Sequence, residues 1–303
     1  MVRLLGADES KARVASAASG EVSVVNLSTV ADLLVIGPTA SGGLGTKREF
    51  SEGEARADHD RQLQALAALA ATPAVTAVRC ADDIRTAAGS AKPGVFISCE
   101  GADFLDGELE GLAGAYELGA RSIGLVHYRV NELGDIQTDE AKYGGLSSFG
   151  TDVVSEMNRL GMIIDMAHAT FETTVAAIEA SSQPVIISHS HLASAGASHP
   201  RLLSETHARV VAESGGIIGA WPSGVANESL ADYSGEICRL IDLVGVDHVA
   251  IGSDLDANYK PVLTRYDQFP ELALMLGERG LTTAEVDQVL GGNFVQLFET
   301  VVG

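Results

Sequence analysis

Short apolar runs alternate with longer helical patterns along most of the chain. The runs are SVVNLS (23–28), GVFISC (94–99), SIGLV (122–126), GMIIDM (161–166), PVIIS (184–188), GGIIGA (215–220) and DHVAIG (247–252). Most are continuously apolar, the pattern of strands buried on both faces of a parallel sheet. The segments between them have recognisable helix ends. SETHARVVAESGG opens on Ser204, a good N-cap, and stops at Gly215. TTAEVDQVLGG carries a Thr282-x-x-Glu285 capping box and ends at Gly291. FGTDVVSEMNRLG and FETTVAAIEASS supply two more helices, each directly before the next strand. AVTAVRC (74–80) is short and sits between two helical stretches, so it reads as a connector.

Unbroken strand–helix alternation predicts an α/β fold, either an open doubly wound sheet or a closed (β/α)8 barrel. Seven strands are one fewer than a barrel needs, and the shortage lies at the N-terminal end. No Pro/Ser-rich linker divides the chain and no repeat of domain-building length is visible. Residues 1–303 are therefore expected to form a single (β/α) barrel domain.

Composition removes several function classes. Lys and Arg number 20 against 41 Asp and Glu, a formal net charge of −21. Such a surface repels phosphate backbones, so nucleic acid is not an expected partner. No apolar run approaches the roughly 18 residues of a membrane span, and MVRLLGADESKARVASAASG lacks the long apolar segment of a secretory signal. No membrane partner is expected. The three cysteines, Cys80, Cys99 and Cys238, have no C-x-x-C spacing. An odd, scattered set argues against a disulfide framework and a Cys-type zinc site, and fits a cytoplasmic setting.

The informative polar residues stand where the strands end. The runs lead into Glu100, His127, His168, His189 and Asp254. In parallel α/β folds the carboxyl end of the sheet is where loops from all strands converge to build sites. Neutral imidazole and carboxylate suit Zn²⁺ and similar divalent ions. Two histidines and a Glu from three strands leave a coordination position open for water, whose pKa the ion lowers toward neutrality. A nearby carboxylate such as Asp254 then takes its proton.

Other signals are weaker. GPTASGGL (37–44) has Gly37 and Gly42 at phosphate-loop spacing, but Gly43 and Leu44 stand where Lys and Ser/Thr belong. It reads as a flexible loop near the barrel mouth. No G-x-S-x-G elbow is present. Cys99 reads as a core residue. Trp221 either walls the pocket or packs.

The stretches SCEG, LGARSIGLVHYRVN, GLSSFGTDVVSEMNRLGMIIDMAHAT, PVIISHSH, HPR and VDHVAIGSDLD resemble, in order and spacing, the renal (membrane) dipeptidase family. The resemblance covers roughly residues 22–300, and GLSSFGTDVVSEMNRLGMIIDMAH is its most specific part. It implies a metal-dependent dipeptidase on a (β/α)8 TIM-type barrel of the amidohydrolase-like group, holding one or two divalent ions such as Zn²⁺. By the same resemblance Glu100 matches the metal-bridging carboxylate, and His168 and His189 match the histidines of one metal. Asp254 matches the catalytic acid/base, and His127 the histidine that polarises the scissile carbonyl. Arg201, in SHPR, matches the arginine that holds the substrate carboxylate.

The chain departs from the family pattern in one major respect. The family's first strand ends in a His-x-Asp motif that supplies the other metal's ligands, and no such motif stands near the start here. The candidate ADHD (57–60) lies in a helical stretch, which places His59 and Asp60 on a helix surface. KARVASAASGEVSVVNLS matches the family's first helix leading into strand two. Leu202 replaces an Asn, and Ala257 a Gly. Two readings follow. Either the chain starts late, or it is a variant with one metal or none, which binds its ligand or hydrolyses another small amide or lactone. A barrel without its first strand exposes two edges, which the N-terminal segment or a second copy in a homodimer would cover. His191 has no counterpart in the resemblance, and the chain is expected to turn before it.

Overall fold

The computed structural model describes residues 7–40, 42–194 and 199–303. Its strands are β1 (Val24–Val30), β2 (Ile36–Pro38), β3 (Leu44–Thr46), β4 (Thr76–Val78), β5 (Gly94–Glu100) and β6 (Ala120–Gly124), followed by β7 (Ile163–Asp165), β8 (Ile186–Leu192), β9 (Leu202–Leu203), β10 (Ile217–Ala220) and β11 (Val249–Ile251). The main sheet runs β1-β5-β6-β7-β8-β10-β11, with parallel pairing throughout. All seven apolar runs are strands of this path. The protein is an α/β barrel wall of parallel strands, and among the described residues no strand joins β1 to β11.

Three local expectations change. AVTAVRC contains β4, a short strand paired with Gly94–Phe96, rather than a plain connector. β1 occupies the other edge of the same residues, and β6 takes over from β4 at Ile97. GPTASGGL is not a simple loop, because its two ends pair as the antiparallel hairpin β2–β3. Ser41, within that stretch, lies outside the described residues. The run after Pro184 does not turn before His191, since β8 continues to Leu192.

Alternating strand positions feed two separate apolar clusters. Val25, Val95, Ile97, Ile123, Ile164, Ile187, Ile218 and Val249 belong to the larger cluster. Phe96, Ile163, Ile186, Ile217 and Ala250 join Leu297, Phe298 and Val301 of the C-terminal helix Asn293–Val301. Phe96 meets Phe298 edge-on at 5.6 Å between ring centroids. The C-terminal helix therefore plugs the inner face of the wall near the strands' amino ends. Each large side chain buried there contributes on the order of 2 kcal/mol. The carboxyl ends are left for the site.

The helices begin where their caps predict. Ser204 Oγ accepts from His207 N, and Thr282 with Glu285 completes the capping box. Gly161, after Ser148–Leu160, takes the left-handed conformation (φ 68°) that a C-cap requires.

The open edges are partly covered. Ala31 N donates to Glu100 O, so Val30 faces away from β5. There the Gln62 amide takes both its N–H (2.9 Å) and its C=O (3.0 Å). Among the described residues no strand pairs with the outer edge of β1 or β11. The N-terminal helix Ala7–Ala15 and the turn Ser16–Gly20 reach toward the β11 side. Arg13 pairs with Asp256 and donates to Thr264 O at 3.1 Å. A Cβ on Gly20 would lie 1.8 Å from Tyr266 O, so only glycine permits that approach.

Two buried histidines outside the site tie stability to pH. His207 lies 2.9 Å from Thr174 Oγ1. His59 stacks on Phe104 at 3.6 Å, with its Nε2 3.3 Å from Cys99 Sγ. Burial pushes each down to about 4 from the ordinary 6.5. The folded state therefore holds fewer protons than the unfolded state between these values. The stability this provides is complete above pH 6.5 and is lost as pH falls to about 4, up to ~3 kcal/mol per group. We expect urea unfolding of His207→Asn to depend less steeply on pH across this window than the wild type. Equal slopes refute the assignment.

Candidate active site

Strand geometry delivers each side chain to the carboxyl end of the wall. On β5 the two-residue period puts Phe96, Ser98 and Glu100 on one face. Phe96 touches the C-terminal helix below, and Glu100 stands above. On β8, Ile187 pairs with Ile218 and Ser190 with Ala220, so β8 carries one residue more than β10 across this span. Such a bulge re-aims side chains beside a site. The Ser188 carbonyl needs room, and a Cβ on Gly219 or Gly252 would approach it to 1.9 or 2.2 Å. Asp165, ending β7, accepts from Ala167 N (3.0 Å) and Ser188 N (2.8 Å), tying the His168 turn to β8. His168 itself has a left-handed backbone (φ 71°), as has Asp254 (φ 45°). For non-glycine residues this conformation costs on the order of 1 kcal/mol and clusters at functional positions.

The residues from five strand ends meet. Glu100 Oε1 lies 3.2 Å from His168 Nε2 and 3.6 Å from His189 Nε2. The two Nε2 atoms are 3.2 Å apart. One ligand atom from each of Glu100, His168 and His189 falls within 4.8 Å of the others. His127 Nε2 is 3.7 Å from Glu100 Oε1, and its ring stands 4.4 Å from that of His168. Asp254 Oδ2 accepts from Trp221 Nε1 at 3.0 Å. Arg201 is fully buried, donates to Gln137 Oε1 and reaches His189 O at 3.5 Å. All six residues singled out by sequence are thus gathered at one end of the sheet.

Burial dominates the electrostatics. It holds His168 and His189 well below the usual imidazole range, and the positive charges of Arg201 and His127 add to this. Both are therefore neutral, as a metal ligand must be. Burial also raises Glu100, assisted by the neighbouring carboxylates Asp165 and Asp32. Asp254 rises to about 7 through burial and then through Glu100. Burial opposes charge on His127, but the carboxylates of Asp32 and Glu100 outweigh it and lift the group to about 9.

The donor set fits a divalent cation. Two imidazole Nε2 atoms and a carboxylate oxygen converge on one volume, and with the imidazole protons on Nδ1 all three present lone pairs to a cation placed there. His189 Nδ1 is held by Ser188 Oγ at 3.0 Å, which fixes the ring with Nε2 inward. A cation there would lower Glu100 and Asp254 and oppose protonation of His127.

Sequence reading misses Asp32. This residue follows β1 by two positions and is completely buried. Its Oδ1 lies 2.6 Å from His127 Nδ1 and its Oδ2 accepts from Tyr128 N at 2.9 Å. The imidazole is thereby turned so that Nε2 faces Glu100. The strand-end rule that finds the other residues also finds Asp32 once β1 is extended to Val30. One expectation is corrected here. His59 is buried, not on a helix surface, because it shares the inner face of Glu54–Ala70 with Ala55, Gln62 and Leu63. Asp60 is exposed as expected. His191, carried by the same strand, meets Glu236 of the helix Leu230–Val244 rather than the cluster, its Nδ1 lying 3.3 Å from that carboxylate. Trp221 both packs and reaches the site.

The chain is thus a parallel α/β barrel wall with a His/carboxylate cluster gathered at its strand ends. The family model described as Membrane dipeptidase (Peptidase family M19) matches residues 41–302, and the chain belongs to this family. Dipeptidase aclJ of Aspergillus oryzae is 33% identical over 215 residues, 68% of this chain and 51% of aclJ. Dipeptidase tcpJ of Claviceps purpurea is 30% identical over 233 residues, 73% of this chain and 54% of tcpJ. The chain thus spans about half the length of the curated relatives it matches. Among solved structures, the probable dipeptidase PvdM of Pseudomonas aeruginosa superposes with a TM-score of 0.82 at 20% identity, covering 95% of this chain and 88% of PvdM. A metallo peptidase of Rhodobacter sphaeroides, liganded with a phosphinate mimic of the dipeptide L-Ala-D-Ala, gives 0.79 at 20%, covering 94% and 88%. These likenesses establish the shared fold.

Proposed function

We propose that the protein is a metal-dependent dipeptidase in which Glu100, His168 and His189 hold a divalent ion, Zn²⁺ by donor chemistry. The observation that carries this reading is the convergence of these three ligand atoms within 4.8 Å at the strand ends. When bound, the ion supplies Lewis acidity and lowers the pKa of water. Asp254 then accepts the proton of the attacking water and returns it to the leaving amine. His127, oriented by Asp32, donates from Nε2 to the carbonyl oxygen as negative charge develops there. Arg201 grips the free carboxylate of the dipeptide. Its Nε is buried without a partner, a donor that an incoming carboxylate oxygen satisfies. Leaving it unsatisfied costs about 1–3 kcal/mol, so the pocket favours substrates ending in a carboxylate.

One observation favours a narrower form of this reading. Among the described residues the single three-donor group is that of Glu100, and ADHD contributes nothing to it. On that set we read one ion per chain, acting on a dipeptide or on another small amide or lactone, with a second ion the alternative. We further read residues 1–303 as one barrel domain in a cytoplasmic protein, with β1 and β11 edges that suit a homodimer. No helix of the described residues is long and apolar enough to cross a membrane.

The test is a panel of L-Ala-L-Ala, L-Ala-D-Ala, an N-acyl amino acid and a homoserine lactone, run with measured metal content. Cleavage of a dipeptide, abolished by chelator and restored by Zn²⁺, is expected. Cleavage of the lactone alone selects the alternative substrate. No turnover at saturating metal sinks the enzymatic reading.

A further inference from the structure

Trp221 is neither ligand, acid nor base in the reading above, yet its indole touches three residues of the site. Its Nε1 donates to Asp254 Oδ2 at 3.0 Å. The Arg201 guanidinium carbon lies 5.6 Å from its ring, within reach of a cation–π contact. Its ring centroid is 5.9 Å from that of His189. The indole is 5% exposed, and its backbone is pinned on both sides. Trp221 N donates to Ser190 O at 2.8 Å, and Asn227 Nδ2 donates to Trp221 O at 3.1 Å. A side chain so anchored is a fixed reference for the groups around it.

We propose that Trp221 is a positioning residue with two separable functions, its N–H aiming the carboxylate of Asp254 and its ring face seating Arg201. The inference rests on the roles proposed above for those two residues. Asp254 needs such a tether. It occupies a left-handed backbone position in a loop whose Asp256 is also left-handed (φ 73°). An indole nitrogen only donates, so it binds the carboxylate through one oxygen and leaves Oδ1 to meet the proton of the attacking water. Arg201 has the converse problem. Gln137 holds one Nη and the indole face supports the guanidinium plane, while Nε has no partner. The plane must stay fixed for Nε and an Nη to meet a carboxylate together. The indole thus connects the group that moves the proton with the group that places the substrate.

The two functions separate by substitution. Trp221→Phe keeps an aromatic face and removes the donor. Trp221→Leu removes both. With L-Ala-D-Ala as substrate and metal content matched, Trp221→Phe is expected to lower kcat by about 10-fold or more with KM within about 3-fold. Trp221→Leu is expected to add a rise in KM of about 5-fold. Residual packing damage moves both parameters together in both variants. A second measurement does not depend on turnover. Trp221 is the only tryptophan in the chain, so its indole ¹⁵N–¹H resonance is a single peak, and Asp254→Ala should move it upfield as the acceptor is lost. Equal kcat in wild type and Trp221→Phe, or an indole resonance indifferent to Asp254→Ala, overturns the proposal. If the wild type cleaves no dipeptide while the resonance responds, the dipeptidase reading fails and the Trp221–Asp254 tether stands.

Discussion

Purified His168→Ala and His189→Ala are expected to lose bound divalent metal and to lose dipeptide hydrolysis by about 10³-fold or more. Each substitution removes one of three donors that converge within 4.8 Å. The remaining imidazole and Glu100 cannot close the coordination shell, and no described neighbour offers a replacement nitrogen. His127 is the nearest, but its Nδ1 is committed to Asp32 and its Nε2 stands 3.7 Å from Glu100 Oε1. The measurement is metal content per chain after gel filtration, beside amino acid release from L-Ala-D-Ala. His191→Gln is the matched comparison, since His191 meets Glu236 rather than the cluster, and it is expected to keep its metal. Unchanged activity in the two alanine variants sinks the assignment of the site.

Asp254→Asn is expected to retain metal and fold while kcat falls by about 10²–10⁴-fold. Asparagine keeps the shape and an oxygen for the Trp221 indole, yet it cannot take a proton. KM should change little, because the grip on the substrate carboxylate is proposed for Arg201 and not for Asp254. The pH profile carries a second signature. Burial and Glu100 raise Asp254 to about 7 in the metal-free chain, and a bound cation moves it down. As a base it must be ionised, so wild-type activity falls on the acid side as pH drops through its pKa, below 7. The residual activity of Asp254→Asn should lack that limb. A variant with wild-type kcat removes Asp254 from the reaction.

Much of this arrangement is legible in the sequence, for local reasons. Continuous apolar runs mark strands buried on both faces, and all seven became strands of the parallel path. Cap residues mark helix starts because they satisfy orphan N–H groups. Chain direction then fixes which end of every parallel strand points to the site, so Glu100, His127, His168, His189 and Asp254 can be collected without knowing any distance. The failures are equally local. Asp32 is missed because Ser28 and Thr29 interrupt the apolar run two residues before β1 ends. His59 is misplaced because its acidic neighbours Asp58 and Asp60 hide a helical spacing that groups it with Ala55, Gln62 and Leu63.

What the sequence by itself determined is the order of elements, the end of the sheet that carries chemistry and the residue types gathered there. These follow from periodicities of two and 3.6 and from strand direction, which are properties of neighbours in the chain. Tertiary structure alone decided the partners. The extra residue in β8, given room by Gly219 and Gly252, turned His189 inward and sent His191 to Glu236. The lateral order of the strands brought Asp32 to His127 across 95 residues and Trp221 to Asp254 across 33. Hydrogen bonds of this kind depend on fractions of an ångström between segments distant in sequence, and no local periodicity encodes such a distance.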